Sequence, residues 1–352
     1  MRRLIFITAG VIACAPPATR VATPPSAGAS VSAISESSVR RVLSVLAADS
    51  MEGRETGTRG ANKAAAFIAA EMKALGLVPG GDSGYFQRVP FEWLPRTRGQ
   101  PRLRLLDSMG ALTAVAPENR RIGYNIIGFI PGSDPVLKDQ VVAFGAHYDG
   151  LGVGPAVSGD SIYNGADDDA SGVTIVLEIA RAFAKGPPPK RTLLFLATTG
   201  EEEGILGTKW YVRHPTFPIS KMVAEMEVEM AGRPDSLAGG SGKLWMTGYD
   251  RSTMGSMLRA AGIPIVADPY PQFRFFERSD NIVFARMGIP AHTLSSYNLH
   301  KEYHSPVDDV GRIDFVHLTA AARAAAAAAR LLSDGPAPTW NPGGQPAPSP
   351  AR

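Results

Sequence analysis

Five clusters of imidazole and carboxylate groups punctuate this chain. "GAHYDG" carries His147 and Asp149, and "NGADDDASGV" carries Asp167, Asp168 and Asp169. "TTGEEEGILG" carries Glu201, Glu202 and Glu203, "EVEMAGR" carries Glu229, and "YHSPVDD" carries Tyr303 and His304. Carboxylates this close repel one another, and an unpaired one is costly to bury. A shared cation would offset both costs. Mixed imidazole and carboxylate ligands suit zinc better than calcium or magnesium. "DDDASG" also lacks the alternating acidic spacing and closing glutamate of an EF-hand loop. Any one cluster taken alone reads first as solvated surface. Together they supply enough ligands for two metals sharing one carboxylate.

The elements that must position these groups are legible. Short apolar runs predict buried strands at "YNIIGFIPG", "QVVAFGAHYD", "RTLLFLATTG" and "GIPAHTLSS". "MVAEMEVEM" alternates, which puts Glu225, Glu227 and Glu229 on one strand face and Met226, Val228 and Met230 on the other. Helical spacing predicts helices over "ANKAAAFIAAEMKALGL", "SGVTIVLEIARAFAKGPPP" and "DFVHLTAAARAAAAAARLL", the last capped by Asp314. Interleaved strands and helices argue an α/β fold with a mixed, largely parallel central sheet flanked by helices. Several acidic clusters follow strand patterns, where open α/β sheets place their ligand sites. His147 and Asp149, two apart on an extended chain, project to the same side.

The ordered set from "MEGRETGTRGANKAAAFIAAEMKALGL" through "YNIIGFIPG", "GAHYDGLG", "IYNGADDDASGV", "ATTGEEEGILG" and "EVEMAGR" to "YHSPVDD" resembles the zinc aminopeptidases of the M28 peptidase family. The resemblance implies an aminopeptidase-like zinc-exopeptidase fold. It also implies two Zn2+ per chain: His147, Asp168 and Glu229 around one, and Asp168, Glu202 and His304 around the other. Asp168 is the shared ligand, being three residues before the serine of an Asp-x-x-Ser-Gly pattern. Many members carry Asp where this chain has Glu229, which leaves the metal spacing open and makes Glu227 the fallback ligand. Glu201 corresponds to the general base, Asp149 to the partner that orients His147, and Tyr303 to an oxyanion donor of some members. The peptide between Asp168 and Asp169 is expected to be cis. The implied reaction is removal of N-terminal residues from peptides with a free N-terminus, by water activated between two metals. Relatives with carboxypeptidase or glutaminyl cyclase activity, and a non-catalytic binding lipoprotein, are the alternatives. A carboxypeptidase would need basic residues such as Arg274 or Arg278. His300 is the other histidine expected to approach substrate.

The rest of the sequence sets the context. The chain has 352 residues, is 44% hydrophobic and 20% charged, and carries a formal charge of +3. It has no Lys/Arg-rich run, which argues against nucleic-acid binding. "MRRLIFITAGVIAC" has a basic start and a short apolar run, so residues 1–13 read as a signal peptide. Cys14, the only cysteine, resembles a lipobox cysteine; the simpler reading is a secretory peptide cut near Ala13 or Ala15. Export to the periplasm or cell envelope follows from either, with a lipid anchor to the membrane in the first. Residues 14–33 read as a flexible tether and 335–352 as a disordered Pro-rich tail, leaving one peptidase domain over 34–334. The interval from Phe91 to Arg121 is too short for an inserted domain.

Overall fold

The structure is a computed structural model that describes residues 31–95 and 102–348. The expected signal peptide, Cys14 and nearly all of the tether lie outside the described residues. The central sheet has ten strands. Nine run in the order β11 (Ile265–Ala267), β10 (Leu244–Met246), β12 (Ala291–Ser295), β9 (Met222–Val228), β5 (Val141–His147), β8 (Thr192–Thr198), β4 (Arg120–Ile130), β2 (Phe86–Leu94) and β3 (Arg102–Leu105). The tenth, β1 (Val78–Pro79), pairs with β4. β12, β9, β5 and β8 are mutually parallel, whereas β4, β2 and β3 continue the sheet antiparallel. The interval from Phe91 to Arg121 thus contributes the sheet's antiparallel edge. A separate hairpin joins β6 (Gly152–Val157) to β7 (Asp160–Tyr163).

The apolar runs form central strands because both sheet faces are covered. Along β5, Val142, Phe144 and Ala146 enter one core while Val141 and Ala143 enter another, the two-residue alternation of a pleated strand. The first core receives α1 (Glu36–Leu46), α2 (Arg59–Ala74), α3 (Gly172–Ala184) and α7 (Phe315–Asp334). Each begins where local chemistry supplies a start. Ser35 and Thr58 accept from the amides of Ser38 and Ala61, and Asp314 accepts from the His317 amide at 2.9 Å. α2 stops at Gly76, whose φ of +79° suits a residue without Cβ. On the opposite face, Tyr211 of α4 (Leu206–Arg213) and Ile282, Phe284 and Ala285 of α6 (Asn281–Arg286) build the second core. The alanine-rich α7 is apolar and long enough to cross a membrane, but 72% of its apolar window is buried, as befits a core helix.

The expected loose tail is corrected over residues 335–348. The indole N–H of Trp340 donates to the Gly288 carbonyl at 2.9 Å, and its ring packs on Phe276 and His292. The Thr253 amide donates to Thr339, and the Asn341 amide to Arg251. Proline-rich composition hid this because the contacts that hold the segment include one aromatic ring and two backbone bonds.

Candidate metal centre

The chemistry-bearing residues converge where the parallel strands end, as the topology of an open α/β sheet favours. His147 is the last residue of β5. Glu201 and Glu202 follow β8 by three and four residues, Glu229 follows β9 by one, and Asp168 lies just before α3. His304 arrives from the loop between β12 and α7.

Ligand-type atoms of His147, Asp168 and Glu229 lie within 4.8 Å of one another, as do those of Asp168, Glu202 and His304. His147 Nε2 is 3.2 Å from Asp168 Oδ1, and His304 Nε2 is 3.2 Å from Asp168 Oδ2 and 3.1 Å from Glu202 Oε2. Asp168 therefore faces the two clusters with different oxygens, and its buried Oδ1 has no hydrogen-bond donor. These residues fit two zinc ions: each set has imidazole and carboxylate donors, and three ligands leave room for water or substrate. Glu227, the fallback ligand, belongs to neither set. Its side chain packs over Gly145, two residues before His147 in β5, where an added Cβ would sit 2.1 Å from Glu227 Oε2.

The Asp triplet divides its labour. Asp167 is fully buried; its Oδ1 accepts from the Gly232 amide at 2.7 Å and its Oδ2 pairs with His300 Nε2 at 2.8 Å. His300 is thereby committed to Asp167 rather than directed at substrate. Asp169 Oδ1 accepts from the amides of Gly172 (2.9 Å) and Met230 (3.0 Å). Only Asp168 keeps its carboxylate for the centre. The Asp168–Asp169 peptide is cis.

Three supporting groups complete the cradle. Asp149 sits 3.7 Å from His147 Nδ1 through Oδ1, while its own carbonyl is nearer at 3.2 Å. That carboxylate also accepts from the amides of Glu201 (3.1 Å) and Glu202 (3.4 Å), so it ties the segment after β5 to the loop after β8. Asp308 accepts from the amides of Asp167 and Asp168, each within 3.1 Å. Arg54, fully buried, donates to the carbonyls of Tyr148 (2.7 Å), Leu46 (2.8 Å), Asn164 (2.5 Å) and Gly165 (2.9 Å). It ties the residue after His147 to the loop before Asp168. Spacing could not reveal Asp308 or Arg54, since their partners are backbone atoms far away in sequence. Their only signal was inclusion in the quoted segments "MEGRETG" and "YHSPVDD". Arg54, Met230 and His304 all take left-handed φ values, of 54°, 50° and 55°. Such non-glycine backbone persists only where surrounding structure over-determines it, and it clusters at functional sites.

The electrostatics are those of a place short of positive charge. Burial pushes the Glu201 carboxyl well above its usual range, with the Glu229, Asp280 and Glu202 charges adding to the push. Burial likewise raises Glu229, to about 7, against the pull of His147. Burial opposes charge on both imidazoles, but their carboxylate partners outweigh it. His147 is raised well above normal and His304 to about 10. Burial would raise Asp168, yet the two neighbouring imidazoles, of His147 and His304, hold it well below the ordinary carboxylate range. The carboxylates that raise these imidazoles are the same groups that bound dications would neutralise. Tyr303 stacks on His304 with ring centroids 3.8 Å apart, and burial raises its phenol. Beside the centre lies a cavity of about 150 Å³, reached by Glu201, Glu229 and Tyr303.

Comparison with known proteins places the chain among peptidases. A probable leucine aminopeptidase 2 from Aspergillus fumigatus is 27% identical over 241 residues, covering 66% of this chain and 45% of the relative. A vacuolar membrane protease from Tuber melanosporum is 26% identical over 193 residues, covering 53% of this chain and 18% of the relative. The chain thus spans less than half the length of either. A zinc aminopeptidase from Bacillus subtilis shares the fold with a TM-score of 0.63 at 18% identity, covering 86% of this chain and 96% of that one. The family model described as Peptidase family M28 matches residues 125–329, from β4 almost to the end of α7 and across every residue of the two ligand sets. The chain belongs to peptidase family M28.

Proposed function

We propose that this protein is an exported di-zinc aminopeptidase that removes N-terminal residues from peptides. The observation that carries the reading is the pair of histidine–carboxylate clusters sharing Asp168, with Glu201 beside them at the cavity. His147, Asp168 and Glu229 would hold one zinc, and Asp168, Glu202 and His304 the other. Bound zinc supplies Lewis-acid polarisation of a carbonyl and acidifies water.

The remaining work falls to the chain's own residues. Glu201 takes a proton on its carboxylate from the attacking water and hands it to the departing amine. Burial among other carboxylates raises its pKa, which suits a group that must hold and then release a proton. Asp149, by accepting from the Glu201 and Glu202 amides, aims both side chains at once. Asp149 also flanks His147 Nδ1 and so leaves Nε2 for metal. Tyr303, stacked on His304 at the cavity wall, is placed to donate its hydroxyl to a developing oxyanion. Glu229 and Glu201 supply the negative charge that receives a substrate ammonium.

The test compares peptides with free and acetylated N-termini, with and without chelator, alongside zinc stoichiometry. Two zinc per chain and chelator-sensitive cleavage of free peptides only are expected. Cleavage of blocked peptides at equal rate would favour a carboxypeptidase. Less than one zinc with no hydrolysis would favour a binding protein. Export with lipidation at Cys14 predicts incorporation of labelled fatty acid that is lost in Cys14→Ser; a wild-type chain without label refutes the anchor.

A further inference from the structure

The cavity beside the centre is lined by charged groups of both signs. Glu201 and Glu229 supply its carboxylates. Trp245, Phe275 and Tyr297 form an aromatic wall: Trp245 and Phe275 stack with centroids 5.6 Å apart, and Tyr297 meets Phe275 edge-on at 6.0 Å. Arg278 also lines it, with its guanidinium 5.3 Å from the Phe275 ring centroid. Arg278 is exposed, and among the described residues its guanidinium has no ion pair or hydrogen bond. The Asp280 carboxylate two residues on is buried and makes no ion pair with it among the described residues; its Oδ2 accepts from Thr198 Oγ1 at 2.8 Å. Arg274, the other candidate cation in this loop, is engaged by Glu277 at 2.5 Å.

An aromatic face restrains a guanidinium while leaving all of its N–H donors available. A planar fork held this way matches a carboxylate with two parallel hydrogen bonds. The cavity volume, near the roughly 150 Å³ that accommodates one benzene-sized group, admits one side chain or one short terminus.

Building on the aminopeptidase reading, we infer that Arg278 reads a carboxylate on the substrate bound in this cavity. The ammonium of the substrate lies at Glu229 and Glu201, its apolar stem along the aromatic wall, and its carboxylate on Arg278. Two substrate groups present that chemistry: an acidic side chain on the N-terminal residue, and the free α-carboxylate of a dipeptide.

Two matched substrate pairs separate these sources in the zinc-loaded full-length enzyme. Glutamyl-anilide against glutaminyl-anilide reads the side chain, and Leu-Gly against Leu-Gly-amide reads the terminus. Wild type is expected to favour the charged member of one pair in kcat/KM by about 10-fold or more, the effect of one charge-assisted hydrogen bond. R278A should collapse that ratio to near one, and R278E should invert it. The inference is overturned if wild type discriminates in neither pair, or if discrimination survives R278A. Failure to hydrolyse any of the four would sink the peptidase reading and the inference with it. Hydrolysis of all four without a charge preference would sink the inference alone.

Discussion

Replacing Arg54 with methionine tests how the centre is held together. The side chain is fully buried and meets four backbone carbonyls, from the end of α1, the residue after His147 and the two residues of the Asn164–Gly165 loop. Methionine keeps much of the volume and removes every donor. Each stranded acceptor costs about 1–3 kcal/mol, while losing a buried cation returns part of that, so the net cost is about 3–5 kcal/mol. Out of a typical stability of about 5–15 kcal/mol, that leaves a folded but weakened protein. Denaturant melts of the metal-free protein measure it without mass-action from zinc. The same change should loosen the register between His147 and Asp168, weakening zinc by about 10- to 100-fold, as outer partners of metal ligands commonly do. Chelator competition reads that affinity. Electrostatics alone argues the opposite sign, because removing a nearby positive charge should favour a dication. Zinc binding as tight as wild type or tighter, or a stability loss under about 1 kcal/mol, would therefore refute the positioning argument. Arg54→Lys should fall between, since one ammonium has three donors for four acceptors.

Further outcomes follow from the same geometry. Glu201→Gln should reduce turnover on an aminoacyl-anilide by about 100-fold or more while the zinc content stays that of wild type, because only proton transfer is lost. Wild-type turnover would return that role to another group. Glu229→Ala should lower zinc stoichiometry, whereas Glu227→Gln should not, since Glu227 packs over Gly145 outside both ligand sets; equal loss in both would reverse that assignment. His292 is buried, with Nδ1 donating to the Thr247 carbonyl at 2.8 Å and Nε2 accepting from Ser252 Oγ at 2.7 Å. Burial pushes its pKa down to about 4, so its share of stability is full above the unfolded value near 6.5. That share, about 3 kcal/mol, drains away as pH falls from there to about 4. Its ring resonances should stay unprotonated at pH 5.5; titration near 6.5 would contradict the buried neutral state.

The sequence by itself determined the kinds of element and the kinds of ligand. Apolar runs marked β5 and β8 because strands covered on both faces show no polar alternation. Alternation in "MVAEMEVEM" marked β9 because Glu225 and Glu227 share one face and Met226 and Val228 the other. Local spacing also put His147 and Asp149 on the same side of the chain. Such readings succeed because they depend only on residues a few positions apart.

The tertiary structure decided what those residues do for one another. The ligand atoms come from His147, Asp168, Glu202, Glu229 and His304, and no local period links positions so far apart. Their meeting depends on sheet order, which places β9, β5 and β8 side by side with their ends on one edge. Folding also separated three adjacent aspartates into one metal-facing carboxylate and two that hold backbone amides. It bound His300 to Asp167, packed Glu227 over Gly145, and tied the segment after α7 down through Trp340. Backbone amides and carbonyls, which every residue carries, are the partners of Asp149, Asp308 and Arg54. A string of side-chain names holds no signal for partners of that kind, so the ligands could be read in the sequence while the groups that aim them emerged only with the fold.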